Sequence, residues 1–489
     1  MHKSSFLEIM KTLDKEELKR FEAFLSSPYF NTRNNNLKLF GIIKKYAPDF
    51  NNKSLDKEEV WKKLFPGKEY NYGLLKNIIY DITKLTERFL EVENFSSDEI
   101  GRMKNLLRKL TDKNLKNIFL NKYNNFEKNF FKSSKFYYNY FEDYFDLKFS
   151  RFEMEAFNPK DRTKLLGSEI AELLIINFMA KFSNIYNSLY IERNEYSEKP
   201  ENNLIEHFAG AVFSNSELEN YIDELSKGEK RDYKTAFIFF KLMKSYINPE
   251  DKKYYFEFKN ALFKNDKYIS EAAMRGLYAC LGSALDNCKD VAEIHKDQEL
   301  YDIFNQLVEK NIFAHEDGKV LPTLYLMAVK VSGYLKKPEF ISKLISDYLK
   351  KIDPELQENF KNYSLAYLYY SRNEFDSVLE FSNKITIDTF QLKFILKNLQ
   401  VLISFEKNDY DMFQFLNDSQ KHFLSKNKSV TERYKKSNMK FLYYTNLLFK
   451  LRESTDKIET GLTEKKIKED IVVNKQWLLE KLGELKIKI

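Results

Sequence analysis

The sequence predicts an all-α fold, with helical hairpins stacked as an α-solenoid and a separate helical domain at the N-terminus. Three observations predict it. Among 489 residues only 13 are Gly and 9 are Pro, the residues that strands and tight turns need at every reversal and that helices avoid. Apolar residues recur three or four positions apart through most of the chain, the period of a one-sided helix. Between residues 320 and 425 a hairpin-like segment recurs about every 35 residues, which is the mark of a repeat architecture. A chain of this length exceeds one ordinary core, so several units or one extended array are expected.

Residues 1–95 read as the first domain. Phe6, Ile9, Met10 and Leu13 share a helical face, and Asp14 with Glu17 three residues on has the form of a capping box opening a second helix. That helix carries Leu18, Phe21, Phe24 and Leu25 and ends before Pro28, which biases Ser27 out of the helical region. A third helix follows over Leu37, Phe40 and Ile43. Ser54 to Phe65, the turn Pro66 to Tyr70, and a long helix from Asn71 to Glu91 have the outline of a helix-turn-helix. Side chains able to contact nucleic acid from that last helix are Asn71, Lys76, Asn77, Lys84 and Arg88. Residues 1–95 carry 17 basic and 14 acidic side chains, a weak electrostatic draw for phosphate.

Asn94 to Gly101 (NFSSDEIG) is the linker expected between this domain and an irregular helical-hairpin region, 96–318. Within it, Gly101 to Lys135 holds ten Lys or Arg against Asp112 and Glu127. Basic residues interleaved with aromatics can bind single-stranded nucleic acid. However, Leu115, Phe119, Tyr123, Phe126 and Phe130 recur at helical spacing, which reads more simply as a buried stripe with a solvated lysine face.

Residues 319–425 carry the repeats. Pro338-Glu339-Phe340, Asn373-Glu374-Phe375 and Asn408-Asp409-Tyr410 align with their aromatics 35 residues apart. The stretch Asn362 to Glu380 resembles one tetratricopeptide hairpin, with Leu365 and Ala366 as its large-then-small pair, Tyr369 and Phe375 as its aromatics, and Val378 as its small contact residue. Phe413 and Lys343 take that small position in the other copies, so the array is tetratricopeptide-like rather than a consensus one. The resemblance implies that first helices of successive hairpins line a groove that takes a segment of a partner protein. On that reading the groove residues are Lys336, Tyr363, Tyr367, Tyr370, Asn398, Leu402 and Phe405. Tyrosines suit such capture, having apolar area and a hydrogen-bonding tip; the competing expectation is that they pack on the next helix.

Residues 426–489 are expected to close the array, with one helix over Asn438 to Leu451, a polar loose stretch over Arg452 to Glu464, and an amphipathic capping helix over Ile471 to Ile487. The chain as a whole resembles a family of all-helical bacterial proteins through Lys19-Arg20-Phe21, Ser27-Pro28-Tyr29-Phe30-Asn31, Leu64-Phe65-Pro66-Gly67-Lys68 and Trp477-Leu478-Leu479-Glu480-Lys481. That resemblance implies an architecture and no activity.

No glycine loop for phosphate is present, the five His are dispersed, and Cys280 and Cys288 read as two reduced thiols on one helix. The N-terminus lacks a secretory apolar run, and Ala171 to Ala180 is too short to span a bilayer. The expectation is a cytoplasmic, non-enzymatic protein–protein interaction scaffold with no cofactor, no metal and no membrane insertion. The alternative is a nucleic-acid-binding regulator using the helix-turn-helix-like unit or the 101–135 segment.

Overall fold

The computed structural model describes the chain except residues 2, 132–133, 157–165, 196–203, 289–294, 316, 387–389, 427–431, 454–456 and 489; at 190–195, 390–391, 433, 457 and 487–488 only the backbone is described. Among the described residues the chain is all-helical, with no strand and one isolated bridge, Phe136 to Ile269. No helix among them is long and apolar enough to cross a membrane. The chain divides into two units, Met1–Lys132 with Asp146–Leu166, and Ser133–Phe145 with Gly167–Ile489.

The first unit contains α1 (Ser5–Met10), α2 (Lys15–Ser26), α3 (Asn34–Ile43), α4 (Lys57–Leu64), α5 (Tyr72–Ser97), α6 (Glu99–Asp112), α7 (Lys116–Phe126) and the C-terminal part of α8 (Tyr140–Ala156). Local chemistry sets the ends. The Asp14 carboxylate accepts from the Glu17 amide at 2.8 Å while Glu17 accepts from the Asp14 amide at 2.7 Å, so two of the free amides at the start of α2 are satisfied. Phe21, Phe24, Phe40, Trp61, Leu75, Ile82 and Phe89 close one core among α1 to α5. The boundary expected at residue 95 falls inside α5. Asp98 alone separates α5 from α6, ending one helix and capping the next through its side chain. A one-residue break leaves no room for a linker, so the expected split between 1–95 and 96–318 does not hold.

The second unit continues with α9 (Leu166–Glu195), α10 (Leu204–Phe213), α11 (Ser216–Lys227), α12 (Arg231–Ile247), α13 (Lys252–Asn265), α14 (Glu271–Asn287) and α15 (Lys296–Glu309). Next come α16 (Pro322–Tyr334), α17 (Pro338–Tyr348), α18 (Pro354–Ser371), α19 (Phe375–Asn383), α20 (Phe390–Glu406) and α21 (Tyr410–Lys426). The chain ends with α22 (Glu432–Glu453), α23 (Lys457–Glu469) and α24 (Lys475–Lys488). Packing is mostly between neighbours in the chain: α12 on α13, α15 on α16, α16 on α18, α18 on α19 and α20 on α21. Helix α12 is buried around most of its circumference. Its Lys241 and Lys244 are buried as well, and each ammonium meets the Glu219 carboxylate of α11 at 2.7 Å.

The turns of the three repeated hairpins share one geometry. Lys336, Asn373 and Asn408 each adopt positive φ (53°, 61° and 55°). In each case the next residue's amide reaches the carbonyl five positions back: Lys337 to Ser332 (2.9 Å), Glu374 to Tyr369 (3.0 Å) and Asp409 to Ser404 (2.8 Å). This is the left-handed helix stop with its 6→1 bond. It corrects the register read from the aromatics. Phe375 and Tyr410 open the second helices α19 and α21, but the equivalent residue in the first hairpin is Pro338, and Phe340 lies two positions into α17. Accordingly the residues in the small contact position are Ile341, Val378 and Phe413, all fully buried, and not Lys343.

The C-terminal region departs from expectation in one place. The segment read as loose, 452–464, contains most of α23, whose buried side chains are Thr460, Thr463 and Ile467.

Candidate functional site

Six of the seven residues expected to line an open groove are buried. Tyr363, Tyr367 and Leu402 have no exposed surface, and Phe405, Tyr370 and Asn398 have almost none. Only Lys336 is exposed, and its positive φ makes it a turn residue. The cause is close approach of the first helices. Tyr367 lies against Gly333 of α16 so tightly that a Cβ on Gly333 would stand 2.5 Å from its ring. Tyr363 donates from its hydroxyl to the Leu326 carbonyl of α16 at 3.2 Å. Asn398 donates to Asn438 of α22 at 3.0 Å and accepts from Gln420 of α21 at 2.6 Å. These side chains join one hairpin to the next and are not free to meet a partner, which corrects the groove assignment.

Phe405 and Tyr370 lead to one candidate site in the second unit. Beyond them lies a cleft of about 70 Å³ lined by His295 and Asp297 of α15, Tyr334 of α16, Tyr370 of α18, Glu406 of α20, and Trp477 and Lys481 of α24, among others. Helix α24 therefore runs beside the ends of several first helices. The Trp477 ring meets Phe405 edge-on at 5.4 Å and Phe441 at 6.2 Å. Its indole N–H donates to the Glu406 carboxylate at 3.1 Å. One turn on, the buried Lys481 ammonium binds the same carboxylate at 3.0 Å and Glu484 at 2.9 Å. Leu478, Leu482 and Leu485 complete the buried face of α24.

Electrostatics mark the same region. Burial lifts the Asp297 carboxyl above its usual range, against the pull of Lys330, and lowers the Lys330 ammonium, against the pull of Asp297. Burial also holds the hydroxyls of Tyr334, Tyr363, Tyr367 and Tyr370 well above the ordinary tyrosine range. Desolvation alone would lower Lys481, but its bonds to Glu484 and Glu406 outweigh that and raise it. The cleft has room for a few waters and none for a substrate of ordinary size. In the sequence Trp477 and Lys481 belong to the expected capping helix and to one of the strings that carry the family resemblance, and their 3–4 spacing with Leu478, Leu482 and Leu485 is the signal of a shared face.

The nucleic-acid candidates are separated by the structure. The Asn71 Oδ1 caps α5 by accepting from the Leu74 amide at 2.9 Å, which commits that oxygen to the helix start and leaves only its amide N–H groups to meet a base edge. Lys76 and Asn77 are exposed. Lys84 is paired with Glu87 at 2.6 Å, and the Arg88 guanidinium lies 5.2 Å from the Phe30 ring centroid. Asp81, Glu87 and Glu91 lie among Lys76, Lys84 and Arg88 along α5, so this stretch carries no net positive charge for phosphate. In the 101–135 segment Phe119, Tyr123 and Phe126 are buried, which removes them as stacking platforms for bases.

Cys280 and Cys288 are buried thiols, with that of Cys280 pushed up to about 11 by burial. No cluster of His, Cys, Asp and Glu able to hold a metal ion occurs among the described residues. The chain matches no protein-family model, no curated protein and no solved structure.

Proposed function

We propose that the chain is a non-enzymatic protein–protein interaction scaffold of the cytoplasm, in which α16 to α21 form a tetratricopeptide-like array that binds a helical segment of a partner. The observation that carries this reading is the seating of α24. The end of α20 contacts α24, which also packs on α22 and α23, through an aromatic anchor, Trp477 on Phe405, and a buried ion pair one turn later, Lys481 on Glu406, while the ends of α16 and α18 line the same cleft. Buried aromatic anchors beside a desolvated charge pair are the chemistry of interface hot spots. In this reading α24 is the array's ligand in cis. The partner segment is an amphipathic helix with an aromatic residue four positions before a lysine, and it exchanges with α24 on the same face.

The test uses a labelled synthetic peptide of residues 471–488 and the full-length chain. In wild type, α24 competes at the high effective concentration of a tethered segment, so the peptide binds weakly. A Trp477→Ala, Lys481→Ala chain frees the face and binds the peptide at least about 10-fold tighter, a gain of roughly 1.4 kcal/mol. Equal, negligible binding to both chains, with helicity retained by circular dichroism, refutes the reading. The nucleic-acid alternative retains only Lys76 and Asn77 as unengaged candidates and is not favoured.

A further inference from the structure

Helix α9 is apolar on two faces. Leu173, Ile176, Met179, Ala180, Ser183 and Tyr186 are buried within its unit. Outside that face runs a second stripe, Ala171, Ile175, Phe178, Phe182, Ile185 and Leu189, with Leu174 beside it. The intervals along it are four, three, four, three and four residues, the spacing of a two-helix seam. Helix α10 extends the stripe. Phe208 packs on Phe178 at 5.4 Å and on Phe182 at 5.6 Å, and Leu204 lies one turn before it. Leu174, Ile175, Phe178, Ile185, Leu204 and Phe208 are each 38–70% exposed. Contiguous exposed apolar patches of this extent mark interaction sites.

We infer that this stripe is the interface of a homodimer, in which α9 of one chain packs antiparallel against α9 of a second copy. Three features select a second copy. The stripe is symmetric about residue 180, so a two-fold axis there sets Ile175 against Ile185, Phe178 against Phe182 and Ala171 against Leu189. With about 200 Å² for each fully exposed large side chain, the six exposed residues offer roughly 600 Å² per chain, at the upper end of the patch a monomer leaves open. If α9 and α10 of both copies cover all six, the pairing buries at most roughly 1,200 Å², which reaches the lower bound for a specific stable interface. A lipid surface is a poorer match. Membrane-surface helices flank their apolar face with Lys and Arg, whereas residues 166–189 contain one basic residue, Lys181, already bound to Glu142 at 2.9 Å and Asn139 at 2.7 Å. The inference is independent of how α24 is seated.

Sedimentation velocity of the full-length chain between about 1 and 50 μM tests it, since that span covers micromolar association. The expected mass is twice the 58.5 kDa of one chain. Ile175→Glu with Ile185→Glu places charges in the seam and raises the dissociation constant at least about 100-fold; both positions are exposed, so circular dichroism is unchanged. A second measurement is oxidative cross-linking of an Ile175→Cys, Ile185→Cys chain, which yields a covalent dimer on a non-reducing gel, while Ile175→Cys alone does not. A wild-type monomer at 50 μM overturns the inference, whether or not it binds anionic vesicles. So does a dimer that survives both glutamates, or cross-linking by Ile175→Cys alone.

Discussion

The packing of α16 on α18 can be tested with one methyl group, by Gly333→Ala. In an open helix the change stabilises by about 0.5–1 kcal/mol, because Ala loses less backbone entropy than Gly. At Gly333 the new Cβ would stand 2.5 Å from Tyr367 Cδ1 and 3.0 Å from its Cβ. The second atom is next to the backbone and cannot swing away, so α16 and α18 must part. Such overpacking costs about 1–3 kcal/mol, and the propensity gain offsets part of it, leaving a net loss of about 1–2 kcal/mol. Gly276→Ala is the matched control: Gly276 is exposed within α14 and a Cβ there meets nothing within 4 Å, so the full gain of about 0.5–1 kcal/mol is expected. The assay is urea denaturation followed by circular dichroism, comparing midpoints of the two variants with wild type. A Gly333→Ala chain as stable as the Gly276→Ala chain would show that Tyr367 does not occupy that notch, and the side-by-side seating of α16 and α18 would fall with it.

Further predictions concern neighbouring features. Tyr363→Ala with Tyr367→Ala lowers stability by more than about 3 kcal/mol, because both rings are fully buried; a loss below about 1 kcal/mol by urea denaturation contradicts the core assignment. Glu219→Ala costs about 3 kcal/mol, since Lys244 loses its bond to that carboxylate and Lys241 is left with Asp223 and Glu257 among the described residues. Desolvation pushes the Glu219 carboxyl up, but hydrogen bonds from Lys241 and Lys244 outweigh it and hold the group below its usual value. Its contribution is therefore present above the unfolded carboxyl pKa and is lost as pH falls through the folded one. The acid-unfolding difference between wild type and Glu219→Gln should shrink over that window, and a difference that grows there rejects the assignment.

Local chemistry was legible in the sequence, and placement between elements was not. The Asp14–Glu17 capping box and the stop before Pro28 depend on residues within a few positions of one another, so reading them needs no tertiary knowledge. The turns at Asn373 and Asn408 were equally readable, because Asn tolerates the left-handed region. The first hairpin was misread by two residues because Lys336 holds that conformation there, and Lys carries no such signal. Helix α23 is not legible in the sequence because Thr460 and Thr463, not apolar residues, occupy its buried face. The tyrosines of α18 had the right spacing for a face, but which neighbour would cover it depended on Gly333, 30 or more residues earlier. Trp477 was visible as part of an amphipathic helix, while its partner Glu406 lies 71 residues away.

The seating of α24 is the claim on which the functional reading depends, and Trp477 reports on it directly. The chain has two tryptophans, so in a Trp61→Phe background all indole emission comes from Trp477. Acrylamide quenching in that chain should be several-fold weaker than for free indole, and should rise when Glu406→Ala removes the carboxylate that holds the indole N–H and Lys481. Quenching equal to free indole before that substitution, or unchanged after it, would contradict the account.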